Sequence, residues 1–267
     1  MRRYDCLKMI TKICQELEED LTIKRYERLK PLQVEEESLR DLKYVQPKDC
    51  IIAFSRRSVY EIKNRIEEST SYRCCMIYGS LPSYTRQRQA ELFNEENNNF
   101  DILIATDAVG MGMNLNIRRV VFSSFLKYDR YGQHQISASQ VKQIAGRAGR
   151  RGSPYHHGLC TTLEDCDLQY LRHCLEKPLG DMQQMGLFPL YEHLNSFMNL
   201  AKETLEFYNM LTRFKESSCM DDEYFMCDVE QFETVAFALR SISTGLSFKE
   251  RFNFCMAPVN IKNRDVM

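Results

Sequence analysis

The chain has 267 residues, 43% of them hydrophobic and 27% charged, and a formal net charge of −1 at pH 7. This length allows one large or two modest domains, and the composition excludes a disordered tail because it supplies enough apolar residues for a core. No apolar run approaches the ~20 residues that a membrane span needs, so we expect a soluble protein with no membrane partner. The 11 cysteines lack paired C-x-x-C spacing, so no metal ligand is assigned, and their odd number favours a reducing compartment.

The first segments are predicted to be a helix, a strand and a second helix. Residues 1–20 carry apolar side chains at helical spacing, namely Leu7, Ile10, Cys14 and Leu17. The acids of this segment are untypical of a transit peptide, so any targeting signal is expected outside this chain. Residues 21–29 alternate like a half-buried strand, and the charged stretch 33–48 predicts a helix that ends at a boundary marked by Pro47.

A regular alternation of strands and helices follows. Strands are predicted from compact apolar runs at 50–55, 72–78, 101–107, 120–124 and 158–163. One helix is predicted from the spacing of Val59, Ile62 and Ile66, another between Pro82 and Phe93, and residues 95–99 form a polar turn. This rhythm predicts βαβ units and therefore an α/β fold with a parallel sheet covered by helices on both faces.

Polar or glycine-containing turns follow three of these strands. Ser55 and Arg56 follow the first, Gly79 follows the second, and Thr106 and Asp107 follow the third. Ligands of open α/β sheets gather outside the carboxyl ends of the strands, and such turns can offer N–H groups to phosphates. Taken singly, each is better explained as an ordinary turn, and Ser55 and Thr106 have strand-end capping as an alternative role.

The octet QIAGRAGR, residues 143–150, contains two arginines that each follow a glycine. On a helix, Gln143, Arg147 and Arg150 project from one face, and Gly146 and Gly149 form a bare strip beside them. Glycines are tolerated where backbone or ligand approaches closely, and guanidiniums offer forked donors to phosphate or carboxylate. The surrounding residues 118–157 favour an anionic partner over the alternative of a solvated basic face, because their only acid is Asp129. Their basic residues are Arg118, Arg119, Lys127, Arg130, Lys142, Arg147, Arg150 and Arg151.

Beyond residue 163 the pattern becomes helical, with helices predicted at 163–175, 190–214 and 229–243. One set of apolar residues in this region favours a core stripe over a row that stacks on RNA: Phe197, Met198, Ala201, Leu205, Tyr208 and Leu211. A linker is marked by Pro178, Gly180, Gly186 and Pro189. We therefore expect an N-terminal helix (1–20), a sheet domain (21–176) and a helical region (177–267).

Four motifs, taken in order, resemble those of the second RecA-like lobe of superfamily-two helicases: AFSRR (53–57), YGSLPSYTR (78–86), ATDAVGMGMN (105–114) and QIAGRAGR. The versions YGSLP, ATDAVGMGMNLNIRRV and SQVKQIAGRAGR resemble those of the mitochondrial suppressor-of-Var DExH-box RNA helicases, the helicases of the mitochondrial RNA degradosome. The resemblance runs from Leu21 to near Pro258. It implies a RecA-like helicase C-terminal lobe followed by an incomplete α-helical region.

The resemblance also implies roles for individual residues. Arg150 matches the arginine finger that reaches the γ-phosphate of ATP held by a partner lobe, Arg147 a second phosphate contact, and Gln143 a polar contact to nucleotide or water. Gly112 and Asn114 match positions that meet the nucleotide ribose, although many helicases carry aspartate at the second position. Contacts to the RNA backbone are implied for Ser55, Arg56, Gly79, Arg86, Thr106 and Asp107. The family role of Asp107 is mainly to order its loop, because a carboxylate repels phosphate.

The chain contains no Gly-Lys dipeptide, and its acidic runs at 17–20 and 221–224 do not follow an apolar strand. The P-loop and the acidic motif of the first lobe, which mainly hold ATP and Mg²⁺, are therefore missing from it. Either it is part of an ATP-dependent RNA helicase for mitochondrial RNA degradation and surveillance, or it is a natural half-enzyme that binds RNA or docks a nuclease without turnover. An unrelated α/β nucleotide-binding domain is the third alternative. By resemblance, the expected partners are RNA, with DNA as an alternative, and the degradosome exoribonuclease. The expected location is the mitochondrial matrix, with the nucleus as a second site.

Overall fold

The computed structural model describes residues 6–24, 28, 31–96, 98–110, 112–129, 132–150, 154–155, 157–178, 180, 182, 184–201, 206–242 and 245–257. The chain divides into two compact units, Met1–Asp181 and Met182–Met267. The first unit begins with helix α1, Leu7–Glu16, where the apolar spacing predicts one. None of the four predicted apolar residues is fully buried, since Leu7 and Cys14 are partly buried and Ile10 and Leu17 are exposed; the buried residue of the helix is Met9.

The predictions for residues 21–48 are wrong. The described residues of 21–29 are not in a strand, and β1 is Leu32–Val34. The charged stretch 33–48 contains only a short 3-10 helix, Leu42–Tyr44. After β1 the backbone continues to pair with its neighbouring strand, since the Leu39 N–H donates to the Thr162 carbonyl at 2.8 Å. These backbone bonds at the sheet edge outweigh the local helical propensity of the charged residues.

The first unit is built on a six-stranded sheet in which every pairing is parallel. The strand order is β1-β8-β5-β2-β4-β3. All five predicted strands are confirmed, as β2 Asp49–Ile52, β3 Arg73–Ile77, β4 Phe100–Ala105, β5 Arg119–Phe122 and β8 Gly158–Thr162. Because β2, β4 and β3 are adjacent and parallel, the loops that follow them lie at one edge of the sheet.

Helices cover both faces of this sheet, as predicted. They are α2 Arg56–Ser69, α3 Ser83–Asn94, α4 Ala138–Ala145 and α5 Asp165–Glu176. The predicted apolar residues of α2 are its buried ones and pack on one face of the sheet with Ile51, Ile104 and Val121. The other three helices pack on the opposite face, around Ile52, Leu103 and Phe122. The alternation of side chains along each strand thus divides the apolar residues between two cores.

An antiparallel hairpin interrupts the parallel pattern, and the sequence did not predict it. Its strands are β6 Leu126–Asp129 and β7 Gly132–Gln135. All four residues of β7 are exposed. A strand that buries neither face carries no apolar period, so pattern reading cannot detect it.

In the residues that the structure describes, the second unit is helical apart from one short parallel pair, β9 Met185–Leu187 and β10 Tyr224–Met226. Its helices are α6 Tyr191–Ala201, α7 Phe207–Ser217, α8 Glu230–Ala238, a 3-10 helix Leu239–Ser241 and α9 Phe248–Cys255. Segment 190–214 therefore forms two helices rather than one. The predicted core role is confirmed for Phe197, Met198, Tyr208 and Leu211, whereas Leu205 and the Ala201 side chain lie outside the described part of the chain.

Six of the 11 cysteines are buried and all are free thiols. Burial raises the pKa of Cys74, Cys75, Cys160 and Cys255 to about 12, so these thiols stay protonated at neutral pH and are poor nucleophiles. Cys166 and Cys219 are exposed. Among the described residues, no helix is long and apolar enough to cross a membrane.

Candidate functional site

The turns that follow β2, β3 and β4 carry five of the sequence-predicted site residues to one edge of the sheet. Ser55 and Arg56 follow β2, Gly79 follows β3, and Thr106 and Asp107 follow β4. Arg56 and Gly79 are exposed, and the space around Gly79 is open, since an added Cβ would meet no atom within 4 Å. This edge therefore offers a surface that a backbone or phosphate can approach.

Ser55 and Thr106 each have a local structural role. Ser55 is the N-cap of α2, and its hydroxyl oxygen accepts a hydrogen bond from the Ser58 N–H at 2.9 Å. Thr106 is buried, and its N–H donates to the Ile77 carbonyl at 2.9 Å. The Thr106 hydroxyl accepts from the Ala108 N–H at 3.4 Å. The capping alternative therefore accounts for contacts of both side chains.

Asp107 forms an ion pair with Lys127 of β6 at 2.5 Å. This contact joins the loop after β4 to the hairpin, which fits the loop-ordering role that the sequence predicts for Asp107. Because the Asp107 carboxylate already has a cation beside it, this residue is a poor candidate for a Mg²⁺ ligand.

Arg86 lies in the first turns of α3 and is incompletely satisfied. Its Nη2 atom donates to the Ser83 hydroxyl at a long 3.5 Å. Its Nε atom is buried without a hydrogen-bond partner among the described residues. A buried unpaired donor typically costs about 1–3 kcal/mol, and a charged acceptor such as phosphate would relieve that cost.

The described residues of segment 110–114, here called the nucleotide loop after the ribose role that the resemblance implies for Gly112 and Asn114, are bonded to α3 at their carboxyl end. The Asn94 side chain donates from Nδ2 to the Asn114 carbonyl and accepts at Oδ1 from the Asn116 N–H, both at 2.8 Å. Gly112 has φ of +75° and no atom near an added Cβ, so its glycine is required by backbone conformation rather than by space. The sequence did not identify Asn94, because an asparagine at a helix end is common in any fold.

The prediction that the three polar residues of the octet share one helix is wrong. Helix α4 ends at Ala145 with Gly146 as its C-cap, and the chain from 146 to 149 forms a turn. Gly149 has φ of +57°, and a Cβ there would lie 2.4 Å from the backbone nitrogen of Gly158 in β8. The close approach that requires this glycine is thus to the same unit's own sheet.

The three octet side chains nevertheless contact one feature, the nucleotide loop. Gln143 Nε2 donates to the Gly110 carbonyl at 3.2 Å, and Arg147 Nη2 donates to the same oxygen. Arg150 Nη1 donates to the Met113 carbonyl at 3.0 Å and to Asn114 Oδ1 at 3.3 Å. These residues are therefore brought to the nucleotide loop by the end of α4 and the turn that follows it, and not by one continuous helix.

In the described part of the chain, the two arginines have no anionic partner. No carboxylate among the described residues pairs with Arg147 or Arg150, and their ordered contacts are with neutral oxygens. The pKa of Arg147 is lowered first by partial burial and then by the positive charge of Arg150. Two guanidiniums that repel each other are stabilised by a shared anion, and their forked donors match phosphate oxygens. This part of the site therefore fits phosphate oxygens rather than a cation such as Mg²⁺.

Arg119 does not belong to the basic surface predicted at residues 118–157. It is buried, and its guanidinium binds Asp49 with Nε at 3.0 Å and Nη2 at 2.6 Å. Its Nη1 atom donates to both oxygens of Glu35 at 3.0 and 3.2 Å. This cluster, Arg119–Asp49–Glu35, joins the first residues of β5 and β2 to the residue that follows β1, and it lies away from the carboxyl ends of β5 and β2.

Comparison with known proteins identifies the class. Residues 34–152 match the helicase conserved C-terminal domain, and residues 234–267 match Suv3 C-terminal domain 1. The first of these ranges contains the four motifs, the parallel strands β2 to β5, and α4 with the turn that follows it. The sheet unit is therefore the C-terminal, RecA-like lobe of a helicase, and a helical region follows it, as the sequence predicts.

Relatives define the family more narrowly. The chain is 51% identical to "ATP-dependent RNA helicase SUV3L, mitochondrial" of Oryza sativa subsp. japonica, with 98% of this chain and 35% of that protein aligned. It is 48% identical to "DExH-box ATP-dependent RNA helicase DExH18, mitochondrial" of Arabidopsis thaliana, over 98% of this chain and 34% of that protein. It is 37% identical to "ATP-dependent RNA helicase SUPV3L1, mitochondrial" of Mus musculus, over 96% of this chain and 33% of that protein. The chain belongs to the SUV3-type DExH-box RNA helicase family and spans about a third of the length of these relatives.

Proposed function

We propose that this chain is the second motor lobe of an ATP-dependent RNA helicase and that Arg150 acts on ATP held by another lobe. The observation that carries this proposal is the pair formed by Arg147 and Arg150 on the nucleotide loop, with no carboxylate of the described residues paired to either one. Negative charge accumulates on the transferring phosphoryl group, and guanidiniums placed beside it stabilise that charge. The chain's own residues thus supply donors to the transition state, while ATP supplies the reacting phosphate.

The remaining nucleotide contacts follow from the same loop. Arg147 provides a second phosphate contact, and Gln143 a polar contact to nucleotide or attacking water. Gly112 and Asn114 face the ribose; the Asn114 Oδ1 atom already accepts from Arg150 at 3.3 Å, so ribose and finger contacts are adjacent. Mg²⁺ belongs mainly to the first lobe, since Asp107 is engaged by Lys127 and the sequence lacks the acidic motif that holds the ion.

RNA is proposed to lie along the carboxyl edge of β2, β4 and β3. The residues proposed to line this path are Ser55, Arg56, Gly79, Arg86, Thr106 and Asp107. Asp107 orders the loop, and the other five contact the RNA backbone. The exposed Arg56 and the unpaired Nε of Arg86 support this placement, because both offer donors to phosphate. Single-stranded DNA presents the same phosphates and is the alternative ligand.

The cellular role is proposed from the relatives, whose names describe mitochondrial ATP-dependent RNA helicases. We place this protein in the mitochondrial matrix, with the nucleus as a second site, and assign it to RNA degradation and surveillance beside an exoribonuclease.

ATP hydrolysis in two protein forms tests the proposal. The 267-residue chain alone is expected to show no RNA-stimulated ATP hydrolysis, because it lacks a P-loop. A longer form that also carries a P-loop lobe is expected to hydrolyse ATP when RNA is added. Turnover by the chain alone would contradict the division of labour, and no turnover by the longer form would favour a non-catalytic RNA-binding or nuclease-docking module.

RNA affinity of the chain is expected to fall as salt rises and to depend little on sequence, because phosphate contacts dominate. Arg56→Ala should reduce the slope of log affinity against log salt by about one, the value for one lost phosphate contact. Its neighbour Arg57 is the matched control, since its side chain is 89% exposed and already paired with Glu61. Fluorescence anisotropy with two RNAs of different sequence measures both slopes; equal slopes for the two variants would remove Arg56 from the RNA surface.

A further inference from the structure

Arg28 contacts the main chain that carries the two site arginines, a segment here called the arginine turn and defined as residues 146–150. Its Nη1 atom donates to the Gly146 carbonyl at 3.1 Å, and its Nη2 atom donates to the Ala148 carbonyl. These carbonyls follow the end of α4, where the helix no longer supplies N–H partners. One guanidinium therefore satisfies two carbonyls that the helix leaves open.

The arginine turn is enclosed by β8 and Arg28 together. A Cβ at Gly158, the first residue of β8, would lie 2.4 Å from the Ala148 oxygen and 2.7 Å from Arg28 Nη2. From the turn's side, the Gly149 N–H donates to the Ile117 carbonyl at 2.9 Å. The backbone between Arg147 and Arg150 is thus bonded to Ile117 through Gly149 and to Arg28 through Ala148, with little room to shift.

The charge of the Arg28 guanidinium strengthens its hydrogen bonds to the arginine turn. The residue is exposed as a whole, but partial burial of its guanidinium lowers its pKa below the ordinary arginine value, and an arginine stays charged at neutral pH. A charged donor makes stronger hydrogen bonds to carbonyls than a neutral one does. Loss of this side chain would leave the Ala148 carbonyl, in a fully buried residue, without its Arg28 donor.

We propose that Arg28 is a positioning residue for ATP hydrolysis, which holds the arginine turn so that Arg147 and Arg150 meet the phosphates in a productive geometry. This inference rests on the proposed function. Arg28 acts through the turn, because both of its terminal nitrogens donate to main-chain carbonyls of the turn. Displacement of a catalytic group by about 1 Å can lower a rate by about 10²-fold, so a main-chain support of this kind has a measurable kinetic effect.

Steady-state ATP hydrolysis by the form with both lobes tests the proposal. Arg28→Ala is expected to lower kcat between about 10-fold and 100-fold and to leave KM for ATP within about twofold, because the support acts on the transition state. Arg28→Lys, which keeps the charge and can still donate to the carbonyls, is expected to recover part of kcat. The matched control is Arg172→Ala. Arg172 in α5 also donates to two main-chain carbonyls, those of Glu35 and Glu36 at 3.3 and 3.1 Å. Its replacement by alanine should leave kcat unchanged.

Hydrogen exchange of the 267-residue chain gives a readout that is independent of ATP hydrolysis. Arg28→Ala is expected to speed exchange of the Gly149 amide about tenfold or more relative to the Arg172→Ala variant, while amides of β2 exchange at their original rate. Unchanged Gly149 exchange, or equal kcat in Arg28→Ala and Arg172→Ala, would overturn the positioning role even if Arg150→Ala abolishes hydrolysis. If Arg150→Ala itself leaves hydrolysis unchanged, the proposed function fails and the kinetic role of Arg28 fails with it.

Discussion

Arg150→Ala, introduced into a form with both lobes, is expected to lower kcat for RNA-stimulated ATP hydrolysis about 10³-fold or more. ATP affinity should change by less than about threefold, because an arginine finger acts mainly on the transition state. Arg150 also donates to Met113 and Asn114 of the nucleotide loop, but these exposed bonds to neutral oxygens contribute little to stability. The protein should therefore stay folded while it loses activity.

Two further variants distinguish a specific effect of the Arg150 guanidinium on catalysis from a general effect of positive charge. Arg150→Lys keeps the positive charge but loses the planar fork, so we expect it to recover only a small part of the rate. Arg88→Ala removes an arginine of α3 that is half-exposed and paired with Glu91, and it should hydrolyse ATP at the original rate. A stopped assay of phosphate release under saturating RNA measures all three variants; equal rates for Arg150→Ala and Arg88→Ala would remove Arg150 from the catalytic machinery.

The second large effect concerns the buried Arg119–Asp49–Glu35 cluster. Arg119→Ala is expected to lower the free energy of unfolding of the sheet unit by about 3–5 kcal/mol, because it leaves the Asp49 carboxylate buried without its cation. Arg57→Ala is the matched control, since it breaks an arginine–carboxylate pair whose side chains are 89% and 56% exposed. We expect that control to cost less than about 1 kcal/mol. Urea denaturation followed by circular dichroism measures both.

The loss in Arg119→Ala should depend on pH. Burial raises the pKa of Asp49, while the Arg119 guanidinium opposes that rise, so removal of the guanidinium raises the pKa further. Between the ordinary carboxyl pKa of about 4 and this raised value, the folded variant binds a proton that the unfolded chain has released. Its stability therefore falls as pH rises through that window and recovers as pH falls. A pH-independent loss would show that the buried charge is not its cause.

The sequence predicted the central part of the fold because parallel strands are buried on both faces. The centres of runs such as 50–55 and 101–107, namely residues 50–54 and 102–105, are apolar throughout, and the intervening helix α2 buries the three residues that its spacing identifies. The edge strand β1 and the exposed hairpin strand β7 could not be predicted in this way. β1 is defined by its backbone pairing with β8, and β7 buries no side chain, so neither leaves a period in the sequence.

At the candidate site, residue types were predictable but their geometry was not. The octet placed Gln143, Arg147 and Arg150 together, but α4 ends at Ala145, and the turn that aligns the arginines depends on contacts distant in sequence. Those contacts come from Arg28 and from Gly158 of β8. Similarly, Arg119 looked like part of a basic surface until its pairing with Asp49, 70 residues away, placed it in the core.

The central claim is that Arg150 stabilises the transition state of ATP hydrolysis on a nucleotide held by another lobe. The most direct measurement compares the affinity of the two-lobe form for ADP with aluminium fluoride, which mimics the transferring phosphoryl group, and its affinity for a non-hydrolysable ATP analogue. We predict that Arg150→Ala weakens binding of the aluminium fluoride complex by about the same factor, 10³, by which it lowers kcat, and leaves binding of the ATP analogue almost unchanged. Equal effects on both ligands, or none on the aluminium fluoride complex, would contradict the account.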